Sequence, residues 1–172
     1  MEVIIRKGTV EDTEDLICLL KEVRQGMVNP DWLYLDAPEE VRRTMADGTM
    51  QLWVATDGER LAGIFTILIP GLSEENYGYD LGFSEEELLR VVHMDTAAVH
   101  PDYRGLGLQK QLMQAAEKYV AEIGERILLT TVHPDNGYSL RNILQQGYTL
   151  EKQLPKYGSV RCILRKDLPK NN

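Results

Sequence analysis

Between Val91 and Ile123 the chain reads "VVHMDTAAVHPDYRGLGLQKQLMQAAEKYVAEI", and this run limits what it can fold into. Residues 91–99 predict a strand, ended by His100-Pro101. From Gly105 to about Ile123 the residues Leu108, Leu112, Ala115, Ala116, Tyr119 and Ile123 recur at helical spacing and predict a helix with a core-facing stripe. Arg104, Gly105 and Gly107 stand at the mouth of that helix. Such a junction is either a tight turn or a place where backbone N–H groups are left to hold something negative.

The flanking sequence predicts more strands and helices. "EVIIRKG" is a strand, and Thr9 with Asp12 three residues on opens a helix to about Arg24 whose apolar face uses Leu16, Leu19, Leu20 and Val23. Asp36 before Ala37-Pro38 marks a second helix ending near Asp47-Gly48. "MQLWVAT", Asp57-Gly58 and "RLAGIFTILI" read as a hairpin. Residues 71–90 are irregular, with a capping box from Ser84 to Glu87, and are a candidate cover for a site. "RILLTTV" is a strand, "PDNGYSLRNILQQ" a helix ending at Gly147, and "YTLEKQL" and "SVRCILRKD" two final strands. With no repeat, low-complexity stretch or linker, one α+β domain over residues 1–172 is expected.

Composition narrows the function. No run of about 18 apolar residues exists, so no membrane partner is expected. The N-terminus lacks the pattern of a signal peptide, and Cys18 and Cys162 lie far apart without metal-type spacing. These features predict a cytoplasmic protein with two buried thiols and no disulfide. The net charge of −8 argues against a nucleic-acid partner bound through phosphate neutralisation. The charge is uneven. Residues 1–90 hold 8 Lys/Arg and 19 Asp/Glu (−11), and residues 91–172 hold 11 and 8 (+3), which suggests a cationic ligand in front and an anionic one behind.

The two commonest phosphate turns are absent. A P-loop requires Gly-Lys-Ser/Thr after four intervening residues, and a dinucleotide fingerprint requires glycine at 110, where the chain has Lys. The block "VHPDYRGLGLQ", after a strand and opening a helix, instead resembles the acetyl-CoA-binding motif of the GCN5-related N-acetyltransferases (GNAT). Arg104 and Gly107 match its Arg/Gln-x-x-Gly-x-Gly/Ala pattern, and Gln109 departs from it. "IRKGTVED" resembles the family's first strand and helix start, and "VHPDNGYSLRNILQQGY" its second motif.

The resemblance implies a three-layer α/β/α GNAT fold. Its central sheet is mixed and mostly antiparallel, with about seven strands splayed between the fourth and fifth and about four or five helices. It further implies that acetyl-CoA is the co-substrate and that no metal takes part. A bulge on the fourth strand would offer the backbone of Ala97, Ala98 and Val99 to the pantetheine arm. The N–H groups of Arg104, Gly105, Leu106, Gly107, Leu108, Gln109 and Lys110 would surround the pyrophosphate, with Asn136 contacting the cofactor. The acceptor would be a small-molecule amine or a lysine-like group, drawn by the acidic front half. Whether the chain is a homodimer is left open.

Acetyl transfer to an amine requires a proton acceptor, because a free amine with pKa of about 10 is mostly protonated at neutral pH. Strand alternation puts Val91, His93, Asp95, Ala97 and Val99 on one face, which makes Asp95 and His93 the candidate bases. The Val99 N–H is a candidate donor to the carbonyl oxygen. The family's usual acid is a tyrosine at the position of Ile143, so Tyr138 is the nearest substitute, followed by Tyr148 and Tyr157. Thr131 stands where ribosomal-protein acetyltransferases carry a glutamate. His100 and His133, beside prolines, read as structural. A non-catalytic acetyl-CoA-binding domain is the alternative reading.

Overall fold

The structure is a computed structural model that describes residues 2–124 and 126–170. Seven strands, β1 (Val3–Lys7), β2 (Met50–Asp57), β3 (Arg60–Leu68), β4 (Val91–Val99), β5 (Ile127–Val132), β6 (Thr149–Lys156) and β7 (Ser159–Asp167), form a mixed sheet. Their order is β1-β2-β3-β4-β5-β7-β6. β4 and β5 run parallel, while β1–β2, β2–β3, β5–β7 and β6–β7 are antiparallel. Among the described residues, five helices accompany them: α1 (Thr13–Gln25), α2 (Pro38–Asp47), α3 (Glu85–Leu88), α4 (Leu108–Ile123) and α5 (Gly137–Gln145). The predicted GNAT-type arrangement is what the chain adopts.

The chain divides into two compact units, one of residues 1–68 with 96–118, the other of 69–95 with 119–172. β4 and α4 contribute to both. In the first unit, Asp12 accepts the Thr9 N–H at 2.8 Å and receives Arg6 as an ion pair, which fixes the entry to α1. Pro38 opens α2, and Gly48 closes it in the left-handed region at φ +82. Leu16, Leu20, Val41, Leu52, Val54 and Ile64 pack together as the core of this unit. The Cys18 side of α1 faces solvent, so the expectation of two buried thiols holds for Cys162 alone.

In the second unit, Tyr77, Val91, Ile127, Leu129 and Ile163 form the core. Residues 71–90 are more ordered than their composition suggests. A 3-10 turn over Tyr77–Leu81 precedes α3, and the Ser84–Glu87 capping box is complete. The stripe on α4 also differs from expectation. Leu108, Leu112, Met113, Ala116 and Val120 are buried, whereas Ile123 is 42% exposed in the last turn. The α-helix proper begins at Leu108, because the positive φ angles of Gly105 and Gly107 are incompatible with helix before it.

Candidate active site

The phosphate-type turn lies wholly within the first unit. β3 carries a bulge: Ala55 pairs with Gly63 and Thr56 with Leu61, leaving Ala62 unmatched. The Ala62 carbonyl accepts the His100 N–H at 2.8 Å, which fixes where the chain leaves β4. Glycine at 63 allows a close approach, since a Cβ there would sit 3.2 Å from the Ala98 carbonyl oxygen and 3.4 Å from Leu112. His100 then caps the following turn, its Nδ1 accepting the Asp102 N–H at 3.1 Å. This agrees with the structural reading of His100.

Side chains of the β2–β3 hairpin clamp that turn. The buried Tyr103 donates its hydroxyl to Asp57 at 2.9 Å. Arg60 pairs with Asp102 at 2.7 Å, and its guanidinium lies 5.3 Å from the Tyr103 ring centre. Sequence reading missed this clamp. In the sequence Asp57 reads only as a turn residue, because its partner lies forty-six positions away.

Gly105 and Gly107 follow with φ of +82 and +70. A Cβ at Gly105 would meet nothing within 4 Å, so the backbone angle rather than crowding calls for glycine. The first amide to close an α4 hydrogen bond is that of Gln111, to the Gly107 carbonyl at 3.1 Å. The N–H groups of Leu108, Gln109 and Lys110 precede it and lack an acceptor within the helix. Arg104, Gly105, Leu106, Gly107 and Lys110 are exposed. An open run of amides at a helix N-terminus, beside Arg104 and Lys110, suits the phosphates of a coenzyme A group.

The candidate proton acceptors lie in the second unit. The parallel ladder between β4 and β5 runs only from Val91–Ile127 to His93–Leu129, although β4 has nine residues. Just beyond it, Thr130 Oγ1 donates to the Met94 carbonyl at 2.7 Å. His93 is 3% exposed, its ring stacked on Tyr77 at 3.8 Å and its Nε2 accepting the Tyr77 N–H at 3.1 Å. Burial, with a smaller contribution from Lys156, pushes its pKa down to about 3. His93 is therefore neutral and holds the 71–90 segment to β4. Asn76 braces the same segment, donating to the carbonyls of Gly71 and Leu88 and accepting the Gly78 N–H.

A pair of phenols that sequence reading did not bring together completes this cluster. The Tyr77 hydroxyl lies 2.5 Å from that of Tyr157. Burial raises the Tyr77 pKa, and the nearby Asp95 charge raises it further. Tyr157 sits in the β6–β7 turn at φ +57, a left-handed conformation unusual for an aromatic residue, followed by Gly158 at +75. Lys156 bridges to Asp80 at 3.1 Å and lies 5.1 Å from the Tyr77 ring centre. The Tyr157-Gly158 turn between two strand-like runs was the one sequence signal for this arrangement.

The first turn of α5 carries the remaining candidates. Asn136 caps the helix, its Oδ1 accepting the Ser139 N–H at 3.3 Å. Tyr138 is 70% exposed, whereas Ile143 and Tyr148 are buried. Among the described residues, no group of three or more His, Cys, Asp or Glu side chains is placed to hold a metal ion.

The family model for acetyltransferases of the GNAT family matches residues 19–148. The chain belongs to the GNAT family. Solved structures similar to this GNAT domain include NAA60 of Arabidopsis thaliana in complex with acetyl-CoA. That structure has a TM-score of 0.78 and 18% identity, covering 97% of this chain and 99% of that one. A GNAT-family acetyltransferase from Streptococcus pneumoniae has a TM-score of 0.74 and 17% identity, covering 97% and 100%. The acetyl-CoA complex of yncA, a putative acetyltransferase of Salmonella typhimurium, has a TM-score of 0.72 and 16% identity, covering 100% and 97%. No curated protein sequence matches the chain. At such identities the likeness is one of fold.

Proposed function

We propose that this GNAT domain transfers an acetyl group from acetyl-CoA directly to a primary amine of a cationic small molecule or a lysine-like group. The observation that carries the reading is the turn before α4. Gly105 and Gly107 hold left-handed angles, and amides without a helical acceptor follow at the helix N-terminus. The acetyl-CoA complexes among the structural neighbours support the same ligand.

Bound acetyl-CoA supplies an activated thioester. In this reading the amides from Arg104 to Lys110 hold its pyrophosphate, and Asn136 contributes its side-chain amide. The backbone of Ala97, Ala98 and Val99 receives the pantetheine arm, and the Val99 N–H donates to the carbonyl oxygen as charge builds there. Asp95 takes the proton of the attacking amine through water. Asp95 is favoured over His93 because Nε2 of His93 is already engaged and its ring is sealed in the core. Tyr138, exposed on α5, protonates the leaving thiolate. Exposed carboxylates at Glu74, Glu75, Glu85 and Glu86 support a cationic acceptor.

Thiol release measured across a panel of polyamines, amino acids and aminoglycosides tests the reading. Turnover with at least one amine is expected. Stabilisation by acetyl-CoA with no turnover on any amine would select the non-catalytic binding domain instead, for which the buried Ile143 at the usual acid position speaks. No stabilisation by any CoA species would overturn the cofactor assignment itself.

A further inference from the structure

A second charged recess, unrelated to the glycine turn, opens where β4 and β5 begin and β7 ends. It is a cleft of about 250 Å³ whose charged lining is Glu87, Arg90, Arg126, Arg165, Asp167 and Lys170. We propose that it binds a small dianion of the phosphate class, either inorganic phosphate or the phosphate group of a phosphomonoester.

The backbone sets two of these residues side by side. The parallel register pairs Val91 with Ile127, and the Arg90 carbonyl accepts the N–H groups of both Arg126 (3.3 Å) and Ile127 (3.0 Å). On the other side, the Leu168 N–H donates to the Arg126 carbonyl at 2.8 Å, which brings the chain leading to Lys170 alongside. Arg90 and Arg126 thus sit side by side immediately before β4 and β5. Like charges on neighbouring positions repel, and a shared anion relieves that repulsion.

Of the two carboxylates in the cleft, Asp167 is paired with a cation, while Glu87 is held by a backbone N–H and keeps its charge. Asp167 receives Arg165 through two contacts, at 2.8 and 3.0 Å. Glu87 accepts the Ser84 N–H at 2.9 Å as half of its capping box. Arg126 gives one Nη1 bond to the Pro169 carbonyl, which neutralises no charge. Among the described residues, Arg90, Arg126 and Lys170 form no ion pair. Three cations without an ion-pair partner, two of them planar guanidinium groups, outnumber the single unpaired carboxylate of Glu87 and favour several oxygens on one doubly charged centre. That is the chemistry of phosphate rather than of a single carboxylate.

The test is titration calorimetry with the full chain carrying Gly107→Trp, so that phosphate held at the α4 turn does not contribute. Inorganic phosphate and glycerol phosphate are titrated in separate arms, with sodium chloride balancing the ionic strength. Saturable one-site binding is expected. It should weaken at least tenfold in the Arg90→Ala/Lys170→Ala double variant and strengthen in Glu87→Gln, which removes a charge yet retains the capping acceptor. Equal affinity in the two arms assigns the site to the free oxyanion, and tighter glycerol phosphate binding assigns it to a phosphorylated metabolite. Lys170→Ala alone, beyond the last strand, should weaken binding at least threefold and covers the case in which the double variant does not fold. The absence of saturable heat, or unchanged affinity in a folded Lys170→Ala chain, overturns the proposal.

Discussion

Gly107 bears on the proposed cofactor grip through its backbone angle of φ +70. A tryptophan there would strain the turn and crowd the amides that lead into α4. Gly107→Trp is therefore expected to abolish the rise in melting temperature that acetyl-CoA gives the parent, read by differential scanning fluorimetry. Asp95→Asn should lower turnover on the best amine about a hundredfold while leaving that thermal shift in place. Loss of both together would make Asp95 a structural residue. Strand alternation puts Asp95 and His93 on one face and does not distinguish them. What separates them is the Tyr77 N–H, donated to His93 from sixteen residues upstream, and no pattern within β4 reveals that donor. The Tyr77–Tyr157 pair was hidden for the same reason, its members standing eighty positions apart.

At the scale of elements, the periodic segments were readable, and so were their local start and stop signals. Thr9 with Asp12, Pro38, Gly48 and the Ser84–Glu87 box act within a few residues of themselves. The β2–β3 pairing was legible from Asp57-Gly58, but the Ala62 bulge was not, because a register shift depends on the partner strand. Helix α4 lost Ile123 from its predicted stripe for a related reason. Periodicity says which residues share a face, but not how far the packed surface extends along the helix. Asn136 was expected to touch a cofactor, and in the fold it caps α5. Asn136→Ala should cost about 1 kcal/mol of stability in urea unfolding. If it also removes the acetyl-CoA thermal shift while Asn136→Ser preserves stability without restoring the shift, Asn136 serves both roles.

For the whole molecule, acid should destabilise the fold through His93. Its pKa is about 3 in the fold, against about 6.5 in an unfolded chain. Above pH 6.5 the ring is neutral in both states and adds no slope. As pH falls from 6.5 toward 3, only the unfolded chain takes the proton, and stability drops by about 1.4 kcal/mol per pH unit from this group. His93→Gln, which keeps an acceptor for the Tyr77 N–H, should show a shallower fall than the parent between pH 6 and 4 in urea melts. Identical slopes would mean that His93 is protonated in the fold.

Element order, caps and the glycine turn with its family motif were legible in the local sequence. These follow from spacing and from interactions that close within a turn or two of chain. Tertiary structure decided which ionisable groups were engaged and which stayed exposed. It sealed His93 behind Tyr77, joined Asp57 to Tyr103, set Tyr77 against Tyr157, and set Arg90 beside Arg126 immediately before β4 and β5. Burial and long-range hydrogen bonds set the charge and role of such groups, and both exist only once distant segments have met.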